Sequence, residues 1–131
     1  MPEPVPSPAH LFKIILPSPQ LLKSSPGTVF PPAPLDVASG YIHFSTAAQT
    51  PVTAERFFAD SSEIWVLKVR YAGEVKDKTR WEGVVHKEDG NAGIEYFPHV
   101  YGDFRMKDVS DVAKLTKNAQ NVWVFPDGWL E

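Results

Sequence analysis

Apolar and polar positions alternate along much of this chain, and the period of that alternation predicts its elements. "HLFKIIL" (10–16) is rich in β-forming apolar residues and reads as a first strand. "GYIHFS" (40–45) reads as a second, with Ile42 and Phe44 on one face and Tyr41, His43 and Ser45 on the other. "EIWVLKVRY" (63–71) is apolar on both faces, which predicts a central strand. "RWEGVVH" (80–86), "IEYFPHVYG" (94–102), "DVAKLT" (111–116) and "NVWVF" (121–125) complete the set. Pro98 lacks a backbone donor, so its strand is expected at an edge or with a bulge. "EVKDK" reads as a turn or edge, and the Asp-Gly and Asn of "KEDGNAG" as a hairpin turn.

"TPVTAERFFAD" (50–60) is the best helix, with Thr50 as N-cap, Pro51 at the first helical position and Val52, Phe57 and Phe58 as its buried stripe. Room for one short helical turn remains at 19–24, and the proline-rich "VFPPAPLDVAS" reads as irregular. Strands outnumber helices and do not alternate with them. The expected fold is α+β, a compact, mostly antiparallel split or barrel-like sheet with one main helix. "MPEPVPSPA" predicts an extended tail over residues 1–9, ahead of a single domain over 10–131.

Composition narrows the function classes. The 131 residues suit one domain, and the net charge of −3 with no basic block gives no nucleic-acid footprint. With no cysteine there is no disulfide and no thiolate metal site. No apolar run is long enough to span a membrane and no signal peptide is visible, so a soluble cytoplasmic protein is expected. The histidines show no short metal-ligand spacing, so no metal is expected. The oligomeric state is not encoded in any pattern here.

The candidate chemistry lies on polar strand faces. His43 keeps company with a phenol and a hydroxyl, because Ile42 and Phe44 already supply a core face. Taken alone, a strand histidine is more often structural. Glu95, Phe97, His99 and Tyr101 share a face if their strand is regular, and Gly102 allows a tight turn after it. Arg80 and Glu82 share a face; they pair on the surface, or Glu82 enters a cleft as a base or ribose acceptor.

The fragments "HLFKI", "LDVASGYIHFSTAAQ", "ERFF", "RWE" and "FPHVYG" occur in order. Together they resemble the family called domain of unknown function 952, over about residues 10–125. That family is similar in architecture to ADP-ribosyltransferases, which bind NAD in a cleft between two small sheets. The resemblance implies a nucleotide-binding cleft for NAD or a similar ligand, with His10 at the position of a ribose-binding histidine. His43 stands where transferases stack nicotinamide with a tyrosine. The catalytic glutamate aligns securely with neither Glu95 nor any other position. The resulting catalytic candidates are His43, Glu82 and His99, and the ligand-binding candidates are His10, Tyr41, Ser45, Thr46, Arg80 and Tyr101. ADP-ribosyl transfer, non-catalytic binding of a nucleotide or other small ligand, and a structural domain all remain open.

Overall fold

A computed structural model of the chain describes residues 3–85 and 93–130. The elements run β1 (His10–Ile15), α1 (Pro19–Leu22), α2 (Pro34–Ser39), β2 (Ile42–His43), α3 (Thr50–Phe57), β3 (Glu63–Arg70), α4 (Gly73–Asp77), β4 (Thr79–Val85), β5 (Ile94–Val100), a 3-10 turn (Met106–Asp108) and β6 (Val109–Thr116). The predicted hairpin turn and His86 lie outside the described residues.

The strands form two antiparallel three-stranded sheets, ordered β1-β3-β6 and β2-β5-β4. They are spliced just past the end of β2, where Phe12 and Ser45 exchange both backbone hydrogen bonds at 2.8 and 2.9 Å. The expected α+β split sheet is what forms.

β3 is central, as its two apolar faces predict, and it feeds two cores. Leu67 and Val69 pack with Leu11, Ile42, Phe44, Trp81 and Val100 between the two sheets. Ile64 and Val66 pack with Phe12, Ile14 and Ala54 on the opposite side, under α3 and the C-terminal segment. Lys68, on that same face, donates to the Trp129 carbonyl at 2.8 Å and lies over its ring. The sheet is thus covered on both faces, the usual reason for a strand without polar alternation.

Several expectations are corrected. β5 is central, although it contains Pro98. The residue's carbonyl accepts the Phe44 N–H at 3.1 Å, and its missing donor faces the same neighbour, where the ladder with β2 ends. "EVKDK" falls mostly within α4, a short helix. "NVWVF" forms the isolated Lys117–Trp123 bridge, with the Val124 N–H donating to the Thr116 carbonyl at 3.2 Å, rather than a strand. The proline-rich 34–39 stretch is helical. Pro34 starts it with its fixed φ, Asp36 accepts the Ala33 N–H at 3.0 Å, and Gly40 at φ 83° ends it in the left-handed region.

α3 begins differently from its prediction. Thr46 Oγ1 accepts the Gln49 N–H at 3.2 Å and Gln49 Oε1 accepts the Thr46 N–H at 3.0 Å. This reciprocal pair of bonds closes the turn ahead of the helix, which begins at Thr50 with Gln49, not Thr50, in the cap position. Thr50 and Ala54, four residues apart, face the core, while Val52 and Phe57 are exposed. Thr46→Ala should lower unfolding free energy by about 1 kcal/mol, in the range of lost helix caps, as read by urea denaturation.

Candidate functional site

The face of β2-β5-β4 turned away from the inter-sheet core carries the polar residues. Ile42, Trp81 and Val100 point into the core, so strand alternation puts His43, Glu82 and His99 on the other side. A cleft of about 590 Å³ opens there between the sheets and α3, a size suited to a small organic ligand. Its polar lining includes Lys13, Asp36, His43, Arg56, Glu95 and His99, and its apolar walls include Phe12, Val52, Phe57 and Phe97.

Asp36 organises the floor. Its carboxylate is buried and accepts four groups: Lys13 Nζ at 3.0 and 3.1 Å, the His43 N–H at 3.0 Å, His43 Nδ1 at 2.8 Å and the Ala33 N–H at 3.0 Å. Burial by itself would raise its pKa. Hydrogen bonds from the His43 ring and backbone, with the Lys13 charge, outweigh it and hold Asp36 well below the usual carboxylate range. Burial pushes Lys13 down more than Asp36 lifts it.

A second carboxylate–imidazole pair stands beside the first. His99 Nδ1 lies 2.8 Å from Glu82 Oε1, and the Tyr101 hydroxyl donates to the same oxygen at 2.7 Å. The Tyr101 bond is the main cause that lowers the Glu82 pKa. Burial lowers that of His99, partly offset by Glu82, with the His43 charge adding to the decrease. His43 and His99 are register partners across β2 and β5, and their rings meet edge to face at 5.3 Å. Tyr41 stacks on His99 at 4.2 Å and approaches Tyr101 at 5.2 Å, and the Arg80 guanidinium lies over Tyr101 at 5.0 Å.

The predicted residues thus separate. His43, Ser45 and His99 line the cleft. Glu82 does not; its oxygen supports His99 rather than facing a ligand there, and Tyr41, Tyr101 and Arg80 form an aromatic ladder behind the histidines. Ser45 is buried, with its backbone spent on Phe12 and its hydroxyl 3.3 Å from Thr53. Of the ligand-binding candidates Ser45 alone lines the cleft; besides Tyr41, Arg80 and Tyr101, Thr46 and His10 lie outside it. Thr46 is committed to the turn ahead of α3, and His10 sits opposite Arg70 at the start of β1, outside the cleft lining. His10 shares a strand face with Phe12 and Ile14, the face away from Lys13.

The residues missed are Lys13, Asp36, Gln49, Thr53 and Arg56. Asp36 had a signal, because Pro34, Asp36 and Gly40 are helix start and stop residues in the right order. Lys13 had one too, as a charge inside an apolar strand. Among the described residues no group of three or more His, Cys, Asp or Glu is placed to hold a metal, and no helix is long and apolar enough to cross a membrane.

This is a split-sheet α+β domain with a paired-histidine cleft. The chain belongs to the family described as Protein of unknown function (DUF952), whose model matches residues 15–112. It is similar to the crystal structure of protein CC0527 from Caulobacter crescentus, with 26% identity over 88% of this chain and 93% of that one and a TM-score of 0.67. The solution NMR structure of CC0527 gives 24% identity over 87% and 90%, with a TM-score of 0.67. No curated protein matches the chain. Neither the family description nor the CC0527 structures name an ADP-ribosyltransferase.

Asp36→Asn should leave Lys13 as a buried, poorly compensated charge and cost about 3–5 kcal/mol in denaturant unfolding. The pH dependence follows from the lowered Asp36 pKa. Its contribution is complete above the unfolded carboxylate value of about 3.9 and is lost as pH falls through the lower folded value. Acid titrations of stability should therefore show a shallower loss below about pH 4 in Asp36→Asn than in the parent.

Proposed function

We propose that the cleft binds a nucleotide of the NAD type and that its floor acts on the nicotinamide–ribose bond. The observation that carries this reading is the His43–His99 pair. Each ring is fixed through Nδ1 by a carboxylate, so Nε2 is the nitrogen left for a ligand, at the base of an apolar-walled cleft. Such a floor suits ribose hydroxyls, and such walls suit a flat base. The resemblance to ADP-ribosyltransferases, with a cleft between two small sheets, points the same way.

Breaking the nicotinamide–ribose bond builds positive charge on the ribose. A carboxylate in the cleft stabilises that state electrostatically. Glu95 takes this role, because it lines the cleft and Glu82 does not. NAD is the substrate in this account, not a resident cofactor.

The test is calorimetric titration with NAD and ADP-ribose, beside an assay of free nicotinamide. His43→Ala should weaken binding at least about 10-fold, the loss of one good polar contact. Glu95→Gln should bind NAD as the parent does and release nicotinamide about 100-fold more slowly. Saturable binding without release, in the presence of candidate acceptors, would identify a binding module instead. No binding of NAD or ADP-ribose would sink the reading.

A further inference from the structure

The two histidines differ in a way that the binding reading does not use. In the β2–β5 ladder Phe44 directs its N–H toward β5, so the His43 N–H, one residue earlier, points to the outer side of β2. Asp36 accepts that N–H and the His43 Nδ1 together, so it holds the ring from outside. Glu82 holds His99 from β4, on the other side of β5. The two Nδ1 atoms are thus engaged by carboxylates on opposite sides of the β2–β5 pair.

His99 is the deeper of the two, with its side chain 7% exposed against 32% for His43. Its Nδ1 faces a carboxylate that is itself fixed by the Tyr101 hydroxyl, and a carboxylate accepts only a proton-bearing nitrogen. Neutral His99 therefore carries its hydrogen on Nδ1 and its lone pair on Nε2. Burial favours that neutral form. A lone pair held at the floor of a cleft is placed to accept a proton.

We infer that His99 is the general base of this site, that Glu82 and Tyr101 position it, and that the second substrate is a hydroxyl-bearing acceptor or water. The assignment rests on the proposed NAD chemistry and names its other half. The acceptor hydroxyl's oxygen forms a bond to the anomeric carbon of the ribose. The carbon–nitrogen bond breaks and nicotinamide leaves as a neutral base with the electron pair. The hydroxyl proton passes to His99 Nε2, and Glu82 stabilises the imidazolium formed. A carboxylate acceptor would bring no proton, and a guanidinium holds its protons too tightly at neutral pH. A hydroxyl matches the base that is present.

The groups facing His99 fix the expected pH behaviour. They are Glu82 and Arg80 on β4, His43 on β2, Tyr41 just before it, and Tyr101 just beyond β5. Asp36 acts on this set through His43.

The experiment follows nicotinamide release from NAD against pH, in water and in water with methanol as a model hydroxyl acceptor, with NAD affinity measured in parallel. The parent rate should rise with pH through a group titrating below the ordinary histidine value of about 6.5, and methanol should yield the methyl glycoside. His99→Ala should lose about 100-fold or more in rate together with that acidic limb. Glu82→Gln, which keeps the shape of the side chain, should still bind NAD. Its rate should fall, and its acidic limb should move to lower pH, because Glu82 raises the His99 pKa.

An unchanged limb in both variants would overturn the assignment while leaving NAD turnover standing. NAD binding by the parent with no release in either solvent would overturn it and leave a binding module. No NAD binding at all would overturn both readings. Loss of NAD affinity in Glu82→Gln without a shift of the limb would also count against it, since it would make Glu82 a support for binding alone.

Discussion

The buried carboxylate of Asp36 is the constraint on which the rest depends. It joins three elements: Lys13 in β1, the Ala33–Asp36 turn that opens α2, and His43 in β2. Its position also decides where β2 can run. By taking the His43 N–H it caps the outer edge of that strand, while the neighbouring residues face β5. Two residues later, Ser45 pairs with Phe12 and joins the second sheet to the first. A single segment, 42–45, therefore leaves one sheet and enters the other, and His43 sits at the crossing. Burying a charged pair is seldom a net gain in stability, because desolvation offsets attraction. The arrangement is better understood as one that specifies position: Asp36 fixes the ring, the strand edge and the lysine together.

The cleft follows from the way the two cores are divided. Sheet β1-β3-β6 is apolar on both faces and is covered on both. Sheet β2-β5-β4 gives one face to the inter-sheet core and leaves the other to polar and aromatic side chains. α3 packs Thr50 and Ala54 inward, which turns Val52, Arg56 and Phe57 to the cleft. Thr46 and Gln49 close the turn ahead of the helix, and Gln49 Nε2 also donates to the Tyr96 carbonyl at 2.8 Å, tying the start of the helix to β5. A local signal in four residues thus anchors one wall of the site.

Much of this was legible in the sequence where period decides. The two-faced apolar run of 63–71 is a central strand, and the alternation of 40–45 correctly separates Ile42 and Phe44 from His43. Two of the corrections concern prolines whose missing donor costs nothing where they stand. Pro34 begins a helix instead, because its fixed φ and missing donor suit the first turn. Pro98 stands in a central strand because its missing donor falls where β2 stops. Thr50-Pro51 does open the helix, but the side chains that satisfy the turn ahead of it are those of Thr46 and Gln49. His10 illustrates the remaining limit. It shares its strand face with Phe12 and Ile14, which line the cleft, but it stands at the first residue of β1, beyond the lining, and no local pattern encodes how far along β1 the cleft reaches.

The division of labour among the carboxylates is the part that only three dimensions provide. On a regular strand face Glu82 and Glu95 look equivalent, and each was a reasonable candidate for the cleft. Glu82 lies opposite Phe97 in the ladder and finds His99 and Tyr101 within reach, so its charge is spent before a ligand arrives. Glu95 lies two residues farther along β5 and lines the cleft. One carboxylate therefore stands against a ring nitrogen and the other in the cleft wall. A tyrosine at the position of His43 could stack on a ligand but could not be fixed by Asp36 through a ring nitrogen. The imidazole exchanges part of a stacking surface for a directed nitrogen, and Tyr41, stacked on His99 at 4.2 Å, keeps an aromatic surface next to it.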